Sequence, residues 1–181
     1  GTAYDPYASY GDGSMRGAYR SIGINRNDFC ALIQMRPAKQ ADCGTIEWLA
    51  FASNAFNVLA PFYADVEKTP EYLANTTGEV STNNFYWTSR MIAAMADASY
   101  SKSLFHIERC QEHVAAKSHE LLNRYDALLE QEADTAARKA LRHEANQAIA
   151  EMVKKELAKT LEKVLYELSG QMKNAYSRSD A

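Results

Sequence analysis

Two sets of polar and charged side chains flank the apolar stretches of this sequence. Arg20, Asn25 and Arg26 come just before one run, and Ser53, Asn54 and Asn57 come just after the next. If the two runs pair as antiparallel strands, the start of one lies beside the end of the other, and both sets meet at one edge. Side-chain amides there can donate to a developing oxyanion, and a guanidinium can hold a carboxylate. The same residues also serve to tie down loops, and spacing alone leaves both readings open.

The remaining reactive types form no motif. His119-Glu120 and His143-Glu144 begin like the helical zinc signature His-Glu-x-x-His, but Asn123 and Gln147 stand where its second histidine belongs. His106 and His113, seven apart, share a helix face, and the four histidines read as surface or partly buried residues and not as metal ligands, so no metal is expected. Cys30, Cys43 and Cys110 are an odd number without metal-like spacing, as suits thiols in a reducing compartment. Cys30 and Cys110 fall on apolar stretches and read as core thiols, while Cys43 lies in a connection with no activating base nearby in sequence. There is no Gly-x-Ser-x-Gly and no glycine-rich phosphate loop, so neither a serine-hydrolase elbow nor a nucleotide cofactor is indicated.

The elements that must position these residues are legible in outline. The chain has 181 residues, 46% apolar and 24% charged, enough for one domain with a core. A net charge of -3 gives no general attraction to nucleic acid or to an anionic membrane. No run of about 18 apolar residues occurs, and the first residues lack the pattern of a signal peptide. The opening Gly1-Thr2-Ala3-Tyr4 without an initiating Met, and the small share of strand, give the expectation of a piece of a larger protein.

Tyr4, Tyr7, Tyr10 and Tyr19 among Gly11, Gly13 and Gly17 read as an irregular loop. Residues 21–36 contain a strand, with Phe29, Ala31, Ile33 and Met35 on one face and Cys30, Leu32, Gln34 and Arg36 on the other. Its apolar character on both sides predicts cover on both faces for part of its length. Pro37 ends it, and after the connection 38–44 the chain returns as a partner strand over 46–53. Residues 61–80 read as irregular, with one helical turn at Glu71-Tyr72-Leu73 after Pro70.

Helix dominates from there. Ser81 or Thr82 is the expected cap of a helix whose stripe is Phe85, Thr88, Met91, Ile92, Met95 and Ala98. Ser103 is the expected cap of a second, with Ile107, Cys110, Val114, Ser118, Leu121, Leu122, Tyr125, Leu128 and Leu129 at helical spacing. Asp134 caps a third, whose apolar residues from Leu141 to Met172 drift toward a heptad. Glu120–Arg124, Asp134–Arg138 and Glu151–Lys155 are acid-before-base pairs expected to support these helices. The division is therefore 1–80, loops and a strand pair, and 81–176, helices, within one domain spanning 1–181.

Several segments, taken as an ordered set, resemble the N-terminal-nucleophile cysteine dipeptidases, the dipeptidase A family related to the secernins. They are Gly1-Thr2-Ala3-Tyr4-Asp5-Pro6-Tyr7, Tyr19-Arg20-Ser21-Ile22, Leu32-Ile33-Gln34-Met35-Arg36-Pro37, Trp48-Leu49-Ala50-Phe51 with Pro61-Phe62-Tyr63, and Ser81-Thr82-Asn83-Asn84-Phe85-Tyr86-Trp87. The resemblance implies an α+β fold, part of a four-layer αββα sandwich, with a β-hairpin followed by a long helical carboxyl-terminal half. It also implies a cytoplasmic enzyme that cleaves small peptides with a cysteine exposed at the mature N-terminus, its α-amine acting as base. No cysteine here matches that position, so the chain reads as the carboxyl-terminal portion, inactive alone and partnered by the missing N-terminal part. Arg20 is then a substrate- or nucleophile-orienting charge, Ser53 and Asn54 are oxyanion or substrate contacts, and Asn57 is a weaker contact. No cofactor is implied. The rival reading is a non-catalytic helical module, with 134–172 as a partner-binding or homo-oligomer-forming arm.

Overall fold

The computed structural model describes residues 27–172, an α+β arrangement. Strands β1 (Phe29–Met35), β2 (Thr45–Phe51) and β3 (Ala60–Tyr63) are followed by α1 (Glu71–Ala74), α2 (Phe85–Ala98), α3 (Tyr100–Gln131) and α4 (Thr135–Ser169). The sheet order is β1-β2-β3, antiparallel throughout, with Phe29 opposite Phe51 and Met35 opposite Thr45.

The expected strand pair is present, but it is joined by a third strand in a stretch that reads as irregular. β3 is short and contains Pro61, which cannot donate to a ladder and is tolerated because β3 has β2 on one side only. All four of its residues are buried, against α4. The cover expected on both faces of β1 is not found among the described residues. Phe29, Leu32, Ile33 and Met35 are 55%, 52%, 61% and 79% exposed, on an edge strand whose outer ladder groups face away from β2.

The helix starts are set by local polar groups. Asn84, not Ser81 or Thr82, caps α2, its side chain accepting from the Trp87 N–H at 2.7 Å. The buried face of α2 is turned from the expected stripe toward Ser89, Ala93 and Ala96, small residues that let other elements approach. Only Ser99 separates α2 from α3, and Ser103 is an interior residue of α3 whose hydroxyl meets that of Ser99 at 3.1 Å. Asp134 caps α4 as expected, accepting from Ala137 N–H at 2.8 Å. The single turn after Pro70 also forms.

Helices α3 and α4 form an antiparallel hairpin, as the pairings of Lys117 with Glu156 and Tyr125 with Glu144 require. Ile107, Cys110, Val114, Leu122, Tyr125 and Leu129 of α3 are buried, as are Ala145, Ile149, Val153, Leu157 and Val164 of α4. α4 also packs on α1, α2 and β3, so it is the central pillar of the core and not a free arm. No described helix is long and apolar enough to cross a membrane.

The stripe of α4 carries polar residues at its own spacing. Arg138, Arg142, Asn146, Glu156 and Thr160 are all buried. Arg138 does not pair with Asp134; it reaches Asp42 in the β1–β2 connection, with Nε and Nη2 at 2.8 and 2.7 Å from the two carboxylate oxygens. Arg142 bonds the same carboxylate and the Asp65 carbonyl. From the sheet, Arg36 Nη1 donates to Asp126 of α3 at 2.7 Å, and Tyr63 Oη donates to the other oxygen of Asp126 at 2.7 Å. Buried and half-buried arginines and carboxylates therefore bolt the Met35–Thr45 end of the β1–β2 hairpin to the two long helices, each charge matched by bidentate or multiple partners.

Candidate functional site

The opposite end of the sheet holds the polar residues singled out from the sequence. Asp28 precedes β1 and Ala52 follows β2, and the Ala52 N–H donates to the Asp28 carbonyl at 2.9 Å. The antiparallel register thus brings the start of β1 beside the end of β2, as the pairing argument requires. Arg20, Asn25 and Arg26 lie outside the described residues. The charges that the described structure does place here are Asp28 and Arg90 of α2, which form an exposed ion pair.

Ala52 has φ 67°, a left-handed conformation that an L side chain adopts at a cost of about 1–2 kcal/mol. It swings the chain out of β2 into a compact turn. The Ser53 carbonyl accepts from the N–H groups of Phe56 and Asn57 at 2.9 and 3.1 Å. The Asn57 side-chain amide donates back to the Ala52 carbonyl at 3.1 Å. Gln111 of α3 donates to the Asn57 carbonyl at 2.9 Å and reaches the Ala55 carbonyl at 3.5 Å. Phe56 is buried and meets Tyr100 edge to face, with ring centroids 6.0 Å apart.

The three predicted residues therefore share one turn but differ in what they do. Asn57 is half-buried and spends its side chain on the turn itself, so its visible task is structural. Ser53 is half-buried and Asn54 exposed, and neither side chain has a hydrogen-bond partner among the described residues. Beside them lies an aromatic cluster. Phe51 stands 5.5 Å from Phe29 and 4.9 Å from Phe85, and Tyr86 packs on Phe51 and Trp87. This edge joins a tied turn, two polar side chains without hydrogen-bond partners among the described residues, and aromatic surface.

Sequence reasoning missed Gln111, Ala52 and Arg90. Gln111 sits on α3 between Cys110 and Glu112, and no local pattern marks a glutamine whose partner is 54 residues away. Ala52 carries no sequence mark at all, because a glycine or asparagine would be the usual occupant of its conformation.

The other reactive groups lie elsewhere. All three cysteines are free, Cys43 and Cys110 buried and Cys30 half-buried. Burial pushes the Cys110 thiol up, the reverse of what an attacking thiolate needs. The four histidines all fall in α3 and α4, as expected. His106 meets Glu167 at 3.3 Å, His113 lies 3.8 Å from Glu156 and His119 packs against Trp48. No cluster of three His, Cys, Asp or Glu able to hold a metal occurs among the described residues.

The described residues thus form an α+β arrangement, a three-stranded antiparallel sheet covered by long helices, with a tied turn at one end of the sheet. Residues 1–113 match the model of peptidase family C69, and the chain belongs to that family. It is 36% identical to a "Dipeptidase" of Bifidobacterium longum, over 99% of this chain and 41% of that protein. It is 38% identical to a "Probable dipeptidase A" of Streptococcus pyogenes serotype M3, over 99% of this chain and 37% of that protein. A "Probable dipeptidase B" of Lactococcus lactis is 31% identical over the same shares. The chain thus spans about two fifths of the length of these curated relatives.

Proposed function

We propose that this chain is the carboxyl-terminal part of a cytoplasmic cysteine dipeptidase that releases amino acids from small peptides. The observation that carries the reading is membership of peptidase family C69, with relatives named as dipeptidases aligning over nearly the whole chain. Three unpaired thiols support a reducing compartment. The nucleophile is a cysteine at a processed N-terminus outside this chain. Its α-amine takes the thiol proton as sulfur adds to the peptide carbonyl, and returns it to the departing amine. Water then cleaves the thioester and regenerates the thiol. Arg20, Ser53, Asn54 and, more weakly, Asn57 are the residues of this chain proposed to orient the peptide or meet the oxyanion.

The remainder of the enzyme docks on β1. Among the described residues its outer ladder edge is unpaired and invites another strand, and its exposed Phe29, Leu32, Ile33 and Met35 supply apolar surface on both faces. This is what a layered αββα sandwich needs of an inner strand.

The test compares the full-length enzyme with the isolated chain on a panel of dipeptides. The full-length enzyme turns them over and the isolated chain does not. Turnover by the isolated chain would refute the assignment of the nucleophile. Arg20→Ala or Asn54→Ala in the full-length enzyme lowers activity without unfolding it; unchanged rates would remove those residues from the site.

A second reading, self-association through the helices, is favoured by their exposed apolar side chains. Phe105 of α3 and the adjacent Leu165 and Tyr166 of α4 are exposed, as are Tyr100 and Met172. Adjacent exposed Leu165 and Tyr166 offer apolar surface for a second copy. Sedimentation of the chain and of Leu165→Glu with Tyr166→Lys distinguishes it, since an oligomer driven by this surface becomes a monomer in the double variant.

A further inference from the structure

We propose that Gln111 is a positioning residue for peptide binding, acting through the turn 52–57; the inference rests on the peptidase reading above. The turn leaves β2 through a conformation that Ala52 does not favour, so its shape depends on external ties. Asp28 ties it to β1, and Asn57 ties it to itself. Among the described residues, Gln111 alone donates hydrogen bonds from the helical layer to the turn.

The tie lands at Asn57, the residue whose amide closes the loop on Ala52, so it fixes the whole unit that carries Ser53 and Asn54. Those two side chains have no hydrogen-bond partner among the described residues, while their backbone is held at both ends. A rigid backbone under free polar side chains is what an oriented contact to a substrate requires. Gln111 needs only its N–H for this, because both its acceptors are backbone carbonyls. Its neighbours Ile107, Cys110 and Val114 hold α3 in the core independently of it, so the tie serves the turn and not the helix.

The donor-only requirement makes a discriminating set of variants. Gln111→Met keeps the length without the donor, Gln111→Glu keeps the shape but sets a carboxylate against carbonyl oxygens, and Gln111→Lys keeps an N–H donor at similar reach. The experiment measures kcat, KM and Tm for dipeptide hydrolysis in the full-length enzyme. Expected are a KM raised about tenfold or more in the Met and Glu variants, with kcat held within about twofold. Tm stays within about 2 °C of the parent, and Lys restores most of the KM. An unchanged KM in the Met and Glu variants overturns the proposal. So does a rise in KM that follows a fall in Tm and is not rescued by Lys. A full-length parent that hydrolyses no dipeptide fails in a different way, since it removes the peptidase reading before any variant is compared.

Discussion

Asn146 of α4 closes the outer edge of β3 at Tyr63. Its Oδ1 accepts from the Tyr63 N–H at 2.8 Å, and its Nδ2 donates to the Tyr63 carbonyl at 3.0 Å. The side-chain amide stands in for a fourth strand at one residue, satisfying both backbone groups that point away from β2. This lets a short strand containing proline lie wholly buried beneath a helix.

Replacing Asn146 with Leu keeps the volume but leaves both Tyr63 backbone groups buried without partners. Each such group costs about 1–3 kcal/mol, so the variant should lose about 2–5 kcal/mol in urea unfolding. A loss below about 0.5 kcal/mol would mean that the amide is not what holds this edge.

High pH should unfold the protein through its buried tyrosines. Burial, reinforced by the Asp126 carboxylate, drives Tyr63 far above its ordinary value of 10.0. Burial pushes Tyr72 up to about 12, and burial with Glu144 raises Tyr125. In the unfolded chain these phenols ionise near 10, whereas the folded state resists. Their stabilisation is therefore complete below about pH 10 and lost as pH rises through the folded values. Unfolding free energy measured from about pH 8 to pH 11 should fall across that window. Tyr63→Phe should make the fall shallower while costing about 1.5–3 kcal/mol at neutral pH for the lost bond to a charged acceptor.

Acid acts in the opposite sense, through two carboxylates. The bidentate Arg138 bond, with Arg142 beside it, holds the Asp42 carboxyl below its ordinary 3.8. Burial opposes ionisation of Glu156, but Lys117 at 2.5 Å and Lys159 at 3.0 Å outweigh it and bring the group below 4.5. Both contribute stability that is present above the unfolded pKa and lost as pH falls through the folded one. Asp42→Asn should flatten the acid limb and destabilise by about 3–5 kcal/mol at neutral pH, because it leaves two buried guanidiniums short of a charge partner. An acid limb identical to the parent's would remove Asp42 from the account.

Ala52 reports on strain. Ala52→Gly relieves the left-handed conformation but loosens the unfolded chain, and the two effects, each about 1 kcal/mol, should nearly cancel. Ala52→Val sets a β-branched residue at φ 67° and should cost more than about 2 kcal/mol. Equal stability of the Gly and Val variants would show that the turn relaxes to another conformation.

The helices were legible because their periodicity is local. The stripe of α3 and the Asp134 cap follow from residues three or four apart, and local steric and hydrogen-bond preferences suffice to form them. Where such preferences compete, the prediction slips by a few residues, as with the cap of α2, where Asn84 displaces Ser81 and Thr82. The polar members of the α4 stripe, Arg138, Arg142 and Asn146, lay at core spacing in plain view. Local spacing pairs Arg138 with Asp134 and gives Arg142 and Asn146 no role, because the partners Asp42 and Tyr63 lie 83 to 100 residues away.

The amino-acid order by itself determined the strand pair, its register-bearing apolar runs, the three long helices and the family resemblance, because each is written in neighbouring residues. It also brought Ser53, Asn54 and Asn57 to one edge through the antiparallel rule. Only the tertiary structure decided that Pro61 lies in a strand, that α4 is the core pillar, and that Gln111 grips the turn. Those outcomes depend on which distant groups satisfy buried hydrogen bonds, and that choice is made by the packing of the whole chain.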